Sequence, residues 1–120
     1  MSLKILISQP NLYDSKVFMP LVFLCLKTYV DKRTDVSPVT WLDPLFRNTD
    51  CNTMLKDVDT KNVDILGLSC YDWNWSLQLQ IAKQVKQDNP NVLVVAGGPH
   101  PDWKDKDFFK KYPQIDIVVY

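Results

Sequence analysis

Few residues in this chain are placed to do chemistry. Ser69 ends one apolar run, the pair Gly97 and Gly98 ends another, and the single histidine, His100, follows two positions later. The stretch LVVAGGPHPDW (93–103) therefore holds two of the three glycines and the only histidine. A serine hydroxyl and backbone amides can hydrogen-bond a ligand, and glycine, without a Cβ, lets a flat molecule approach the main chain. Each residue alone has a plainer reading. A double glycine serves any tight strand-to-helix turn, and a serine can bond nearby backbone. His100 would then be an ordinary loop histidine. Cys70 is no nucleophile, because no base accompanies it in sequence. The aromatic loop SCYDWNW (69–75) offers Tyr71 and Trp73 as walls for a planar ligand; equally, Trp73 and Trp75 can pack on a neighbouring domain.

Several familiar ligands are excluded. Close approach to a dinucleotide pyrophosphate needs GxGxxG after the first strand, and no glycine stands there. A phosphoacceptor site needs carboxylates after the first strand and an aspartate ending the third; Ser8, Gln9 and Ser69 occupy those places. QPNLYDSKVFMP (9–20) lacks the Ser/Thr/Gly richness of a flavin-phosphate loop, and neither a P-loop nor a GxSxG elbow occurs.

The elements that must position these residues follow from hydrophobic pattern. LKILIS (3–8), VDILGLS (63–69), VLVVA (92–96) and IDIVVY (115–120) are apolar runs rather than alternating ones, which predicts parallel strands buried on both faces. VSPVTW (36–41) is a weaker fifth. Between them, PLVFLCLKTYVDK (20–32) reads as a helix apolar almost all round, with Pro20 in its first turn. WSLQLQIAKQVKQDN (75–89) reads as a helix with Leu77, Ile81 and Val85 inward and Gln and Lys outward. Asn74 or Asp72 is placed to cap it, and Pro90 closes it. CNTMLKDVDT (51–60) and WKDKDFFKKY (103–112) read as shorter helices, the latter with its charges on a solvated face. Alternation of strand and helix predicts a flavodoxin-like (Rossmann-like), doubly wound α/β domain over residues 1–120, with five parallel strands in the order 2-1-3-4-5. Ligands of such sheets lie beyond the carboxyl ends of the strands. That selects the loops SQPNLYDSK, SCYDWNW and GGPHPDW.

Fourteen basic residues balance fourteen acidic ones, so no basic face is available for nucleic acid. The longest apolar stretch is too short to span a bilayer and is broken by Pro20. No signal peptide is visible, and Cys25, Cys51 and Cys70 form no close pair or CxxC spacing, which fits a reducing, cytoplasmic setting and leaves no metal ligand set.

Taken together, Ser69 and Gly97 are separated by twenty-seven residues, enough for one loop, one helix and one strand. This pattern resembles the cobalamin-binding domain family, in which Ser-x-Leu or Ser-x-Thr follows strand three and Gly-Gly follows strand four. ILGLSCYDWN and NVLVVAGGPHP, with FFKKYPQIDIVVY behind them, are similar to the amino-terminal domain of cobalamin-dependent radical S-adenosylmethionine enzymes. The likeness is loose before residue 60 and close after it. It implies that Ser69 and the backbone of Cys70 and Tyr71 hydrogen-bond the corrin or its nucleotide tail. It implies that Gly97 and Gly98 leave room for that tail, that Pro99 and His100 meet the corrin edge, and that Tyr71 and Trp73 wall the macrocycle. Two departures narrow the branch. Tyr71 stands where the family has Leu or Thr, and Asp-x-His-x-x-Gly is absent after strand one, so no histidine from that loop would ligate cobalt. The resemblance also implies a parent protein in which a carboxyl-terminal radical domain carries S-adenosylmethionine and an iron–sulfur cluster, with methyl transfer as the reaction. This stretch would be a piece of it, without catalytic residues of its own. The rival expectations are a ligand-free interaction module of the same fold and a sensor for another planar cofactor.

Overall fold

The structure, a computed structural model, describes residues 2–12 and 19–120. The loop after the first strand is therefore described only in part, and its stretch 13–18 lies outside the described residues. Five strands form one parallel sheet: β1 (Leu3–Ser8), β2 (Val39–Trp41), β3 (Ile65–Ser69), β4 (Leu93–Gly97) and β5 (Ile117–Val118). Their order is β2-β1-β3-β4-β5, as the alternation of elements implied. Between them lie the helices α1 (Leu21–Asp31), α2 (Cys51–Leu55), α3 (Trp75–Asp88) and α4 (Phe108–Lys111), with a 3-10 turn at Thr60–Asn62.

Strand order decides where the helices go. The step from β1 to β2 runs one way across the sheet, and the steps to β3, β4 and β5 run the other way. Right-handed crossovers then put α1 on one face and α2, α3 and α4 on the opposite one. Register carries the same division through the side chains. Leu6, Leu66 and Val94 are aligned across the sheet, as are Leu68, Ala96 and Val118. This set packs with Ile81, Ala82 and Val85 of α3, Leu55 of α2 and Phe108 of α4 into the main core. Each large side chain buried there stabilises the fold by about 1.5–3 kcal/mol. The alternate set, Ile5, Ile65 and Leu93 with Val95 and Ile117, faces α1.

That second face departs from the expectation of a sheet buried on both sides. Leu3, Leu93 and Ile117 are 41%, 38% and 42% exposed, and no residue of α1 is buried. One crossover cannot cover what three cover opposite. The short helices are also shorter than their patterns. In 103–112 the Asp102 and Asp105 carboxylates take the N–H groups of Lys104 and Asp107, a local bonding that competes with helix, so only Phe108–Lys111 coils. Helix α2 stops at Leu55, although Asp50 caps it well by accepting the Thr53 N–H at 2.9 Å. Pro20 sits at the N-cap of α1 rather than inside its first turn.

Candidate functional site

Ser69 and Gly97 form the last rung between β3 and β4, so the two loops leave the sheet side by side. They stay joined beyond it. The Cys70 N–H donates to the Gly97 carbonyl at 2.9 Å, and the His100 N–H donates to the Cys70 carbonyl at 3.2 Å. Gly98 lies between these bonds with φ +90°, a conformation L side chains avoid, and a Cβ there would stand 2.5 Å from the Cys70 carbonyl oxygen. The fold itself therefore demands glycine at 98. Gly97 is different. A Cβ at this position would meet nothing nearer than the Leu68 carbonyl oxygen at 3.9 Å, and its φ is not in the left-handed region. Packing among the described residues does not require glycine at 97.

The aromatic loop is equally defined. Tyr71 and Trp73 stack on each other, centroids 4.4 Å apart and nearly parallel, with Trp73 exposed. Trp75 does not face outward with them, as the interface reading expected. Its ring turns inward onto His100 at 5.0 Å, Tyr112 at 5.1 Å and Phe108 at 6.3 Å, so the start of α3, the β4 loop and α4 share one aromatic cluster. His100 is thus anchored by its backbone and its ring, on the β4 side of the site. Pro99 is exposed beside it. All eight residues singled out in the sequence come together at the carboxyl edge of β3 and β4.

Two positions at this edge escaped the sequence reading. Asn74 occupies the N-cap of α3 but makes no side-chain cap; instead its oxygen accepts the Tyr71 N–H at 2.8 Å. Its amide donates to the carbonyls of Ser69 at 3.0 Å and Pro10 at 3.2 Å. Gln78, expected among the outward Gln and Lys residues, is fully buried. Its amide donates to the carbonyls of Ser8 at 2.8 Å and Ser69 at 3.0 Å, and its oxygen accepts the Ser8 hydroxyl at 2.7 Å. The spacing 74, 78, 81, 85 would have found both amides, because it is the buried stripe of one helix face.

The surroundings of the Cys70 thiol disfavour its thiolate: burial pushes its pKa up from the ordinary 9.0 to about 12, and the thiol donates a hydrogen bond to the Leu68 carbonyl at 3.6 Å. Among the described residues, no cluster of His, Cys and acidic side chains could hold a metal ion. The fit of a large flat cofactor can be judged from Gly97. There a Cβ would meet no described atom nearer than 3.9 Å, on the strand beside Ser69, and that open position suits such a group.

Residues 33–120 match the model of the B12 binding domain. The chain is 38% identical over 104 residues to the cobalamin-dependent radical SAM methyltransferase TokK of Streptomyces tokunonensis. It is 36% identical over 104 residues to the 2-(S-pantetheinyl)-carbapenam-3-carboxylate methyltransferase of Streptantibioticus cattleyicolor. Each match takes in 86% of this chain and 15% of the relative, so the chain spans about a seventh of those proteins. Two solved structures share the fold at low identity. A cobalamin-binding protein of Desulfitobacterium hafniense aligns with TM-score 0.61 and 13% identity over 98% of this chain and 53% of its own. A pilus assembly-related protein of Burkholderia pseudomallei aligns with TM-score 0.59 and 12% identity over 98% and 76%. With the double glycine, the serine rung and the strand order of that fold all in place, this chain belongs to the B12-binding domain family.

Proposed function

We propose that this domain holds cobalamin at the carboxyl ends of β3 and β4. It presents the cofactor to a radical S-adenosylmethionine domain of the same parent polypeptide, which brings the iron–sulfur cluster and carries out methyl transfer in the cytoplasm. The observation that carries this reading is the Ser69–Gly97 rung. By register the two residues lie on the α1 side of the sheet, in line with Val95 and Ile117, and glycine at 97 leaves space that no described residue fills. A nucleotide tail passing over Gly97 would reach an apolar surface already open to receive it. The names of the two methyltransferase relatives support the cofactor and the reaction class.

The chain's own residues bind and orient. Ser69 and the backbone of Cys70 and Tyr71 offer polar contacts at the sheet edge. The Tyr71–Trp73 stack gives a broad face at low entropic cost. Pro99 and His100 border the corrin from the β4 side, and Gly98 lets the two loops lie close enough to form one ledge. Cobalamin, when bound, supplies the cobalt centre through which a methyl group is passed on; the protein's share is position and exclusion of water. The apolar α1 side and the exposed Trp103–Tyr120 stack would carry contacts with the rest of the parent protein.

Titration with hydroxocobalamin, followed in the visible spectrum, tests the reading. The parent chain should perturb the corrin bands to saturation. Gly97→Leu should keep its far-UV dichroism and bind at least about tenfold more weakly. An unperturbed spectrum with the parent would favour the ligand-free interaction module. Equal binding by Gly97→Leu would remove the cofactor from this ledge.

A further inference from the structure

The ledge is held from behind. Ser69 and Gly97 face the α1 side, whereas Asn74 and Gln78 reach the same strand ends from α3, on the opposite side of the sheet. Strand ends are where carbonyls run out of ladder partners, and leaving a buried carbonyl unpaired is costly. Here two carboxamides supply the missing donors. All four of their amide N–H bonds are used, on the carbonyls of Ser8, Pro10 and, twice, Ser69. Their two oxygens take the Ser8 hydroxyl and the Tyr71 N–H. Both side chains are fully buried, four residues apart on one helix face.

Such a network does more than satisfy polar atoms. Leu or Met at these positions would fill the space equally well but would not fix where the chain goes after Ser69. With the amides present, the turn from Tyr71 to Asn74 closes on itself, the Asn74 N–H donating to the Tyr71 carbonyl at 3.3 Å. Pro10 ties the start of the loop after β1 to the same side chain. Cys70 then links this assembly to Gly97 and His100. The end of β1 with Pro10, the β3 loop and the β4 loop thus share one hydrogen-bonded frame that rests on two side chains.

We infer that Asn74 and Gln78 are positioning residues for the cofactor: they fix Ser8, Pro10 and the β3 loop before cobalamin arrives, so that binding needs no ordering of the β3 loop. The inference rests on the ledge proposed above. In Asn74→Asp the carboxylate keeps an acceptor for Tyr71 but turns negative charge on the Pro10 and Ser69 carbonyls. In Gln78→Glu the same happens at Ser8 and Ser69. Val92→Ala, a cavity at the amino end of β4, serves as the control that loses stability far from the ledge.

The measurements are hydroxocobalamin titration, at a temperature where each variant is folded, and hydrogen exchange of the free parent. Both carboxylate variants should bind at least about tenfold more weakly than the parent, while Val92→Ala binds as the parent does. In the cofactor-free parent the Tyr71 amide should exchange as slowly as amides in the centre of β3. Variant affinities equal to the parent's would overturn the inference while leaving the ledge intact. Fast exchange at Tyr71 in the free parent would overturn it even if a variant failed to fold. A parent that leaves the corrin spectrum unchanged removes the ledge, and the inference with it.

Discussion

Leu66, Leu68, Val94 and Ala96 on one side of the sheet and Ile65, Leu93, Val95 and Ile117 on the other are similar residues on neighbouring strands. Their surroundings are not similar. The first set lies under α3 and α4 and is almost wholly buried. The second shares its side with α1 alone, and Leu93 and Ile117 keep more than a third of their surface open. The same apolar residues therefore do two jobs. Under α3 they supply stability; on the α1 side they are left available, and the Ser69–Gly97 rung opens onto that side.

The widest gap between the two sides should appear in truncation. Ile81→Ala, at the centre of the packed side, leaves a cavity and should cost about 2–5 kcal/mol. Ile117→Ala on the open side should cost no more than about 1 kcal/mol, since much of its side chain already meets water. Urea denaturation of both variants measures the difference. Equal losses would mean that the α1 side is part of the core after all.

Sequence carried the division only halfway. Strand order followed from alternating apolar runs and helical patterns, because burial on a sheet leaves a continuous hydrophobic signature. The runs around Leu93 and Ile117, however, look the same whether a strand is covered on one side or two. Composition records that a residue can be buried, not what lies above it. At the site, Ser69 and the double glycine were legible through spacing. The division of labour between Gly97 and Gly98 was not, since it depends on the Cys70 backbone standing 2.5 Å from one Cβ position and away from the other. Asn74 and Gln78 share the buried stripe of Ile81 and Val85, so their burial was legible in the spacing. Their partners were not, because the carbonyls of Ser8, Pro10 and Ser69 come beneath them only through the fold.

The cysteines give a smaller, finer measure of the same contrast. Cys25 is exposed on α1, Cys51 is partly covered at the start of α2, and Cys70 is buried where β3 leaves the sheet. A thiol reagent should modify Cys25 first and Cys70 only on unfolding. Cys70 also ties stability to alkaline pH. Burial in the folded state pushes its thiol pKa up from the ordinary 9.0 to about 12. Below pH 9 both states hold the proton and this group adds no pH dependence. As pH rises from 9 toward 12 the unfolded state loses it first, so stability falls. In Cys70→Ala the fall over that window should be shallower, and chemical denaturation at a series of pH values measures the difference.

The least change in stability is expected where a charge is placed on the open side. Leu93→Lys and Ile117→Lys swap half-exposed apolar groups for long side chains whose stems can lie along the sheet and whose ammonium can reach water. Their urea midpoints should stay close to the parent's, within about 0.5 kcal/mol of stability, while binding of a hydrophobic dye drops. The same substitution at Val94, wholly buried under α3, should prevent folding. A large stability loss in either open-side variant would show that these strands are covered more completely than their exposure suggests. An unchanged dye signal would put the accessible apolar surface somewhere else, and the outer side of α1, where Leu21, Leu26 and Tyr29 are exposed, would be the next place to set a lysine.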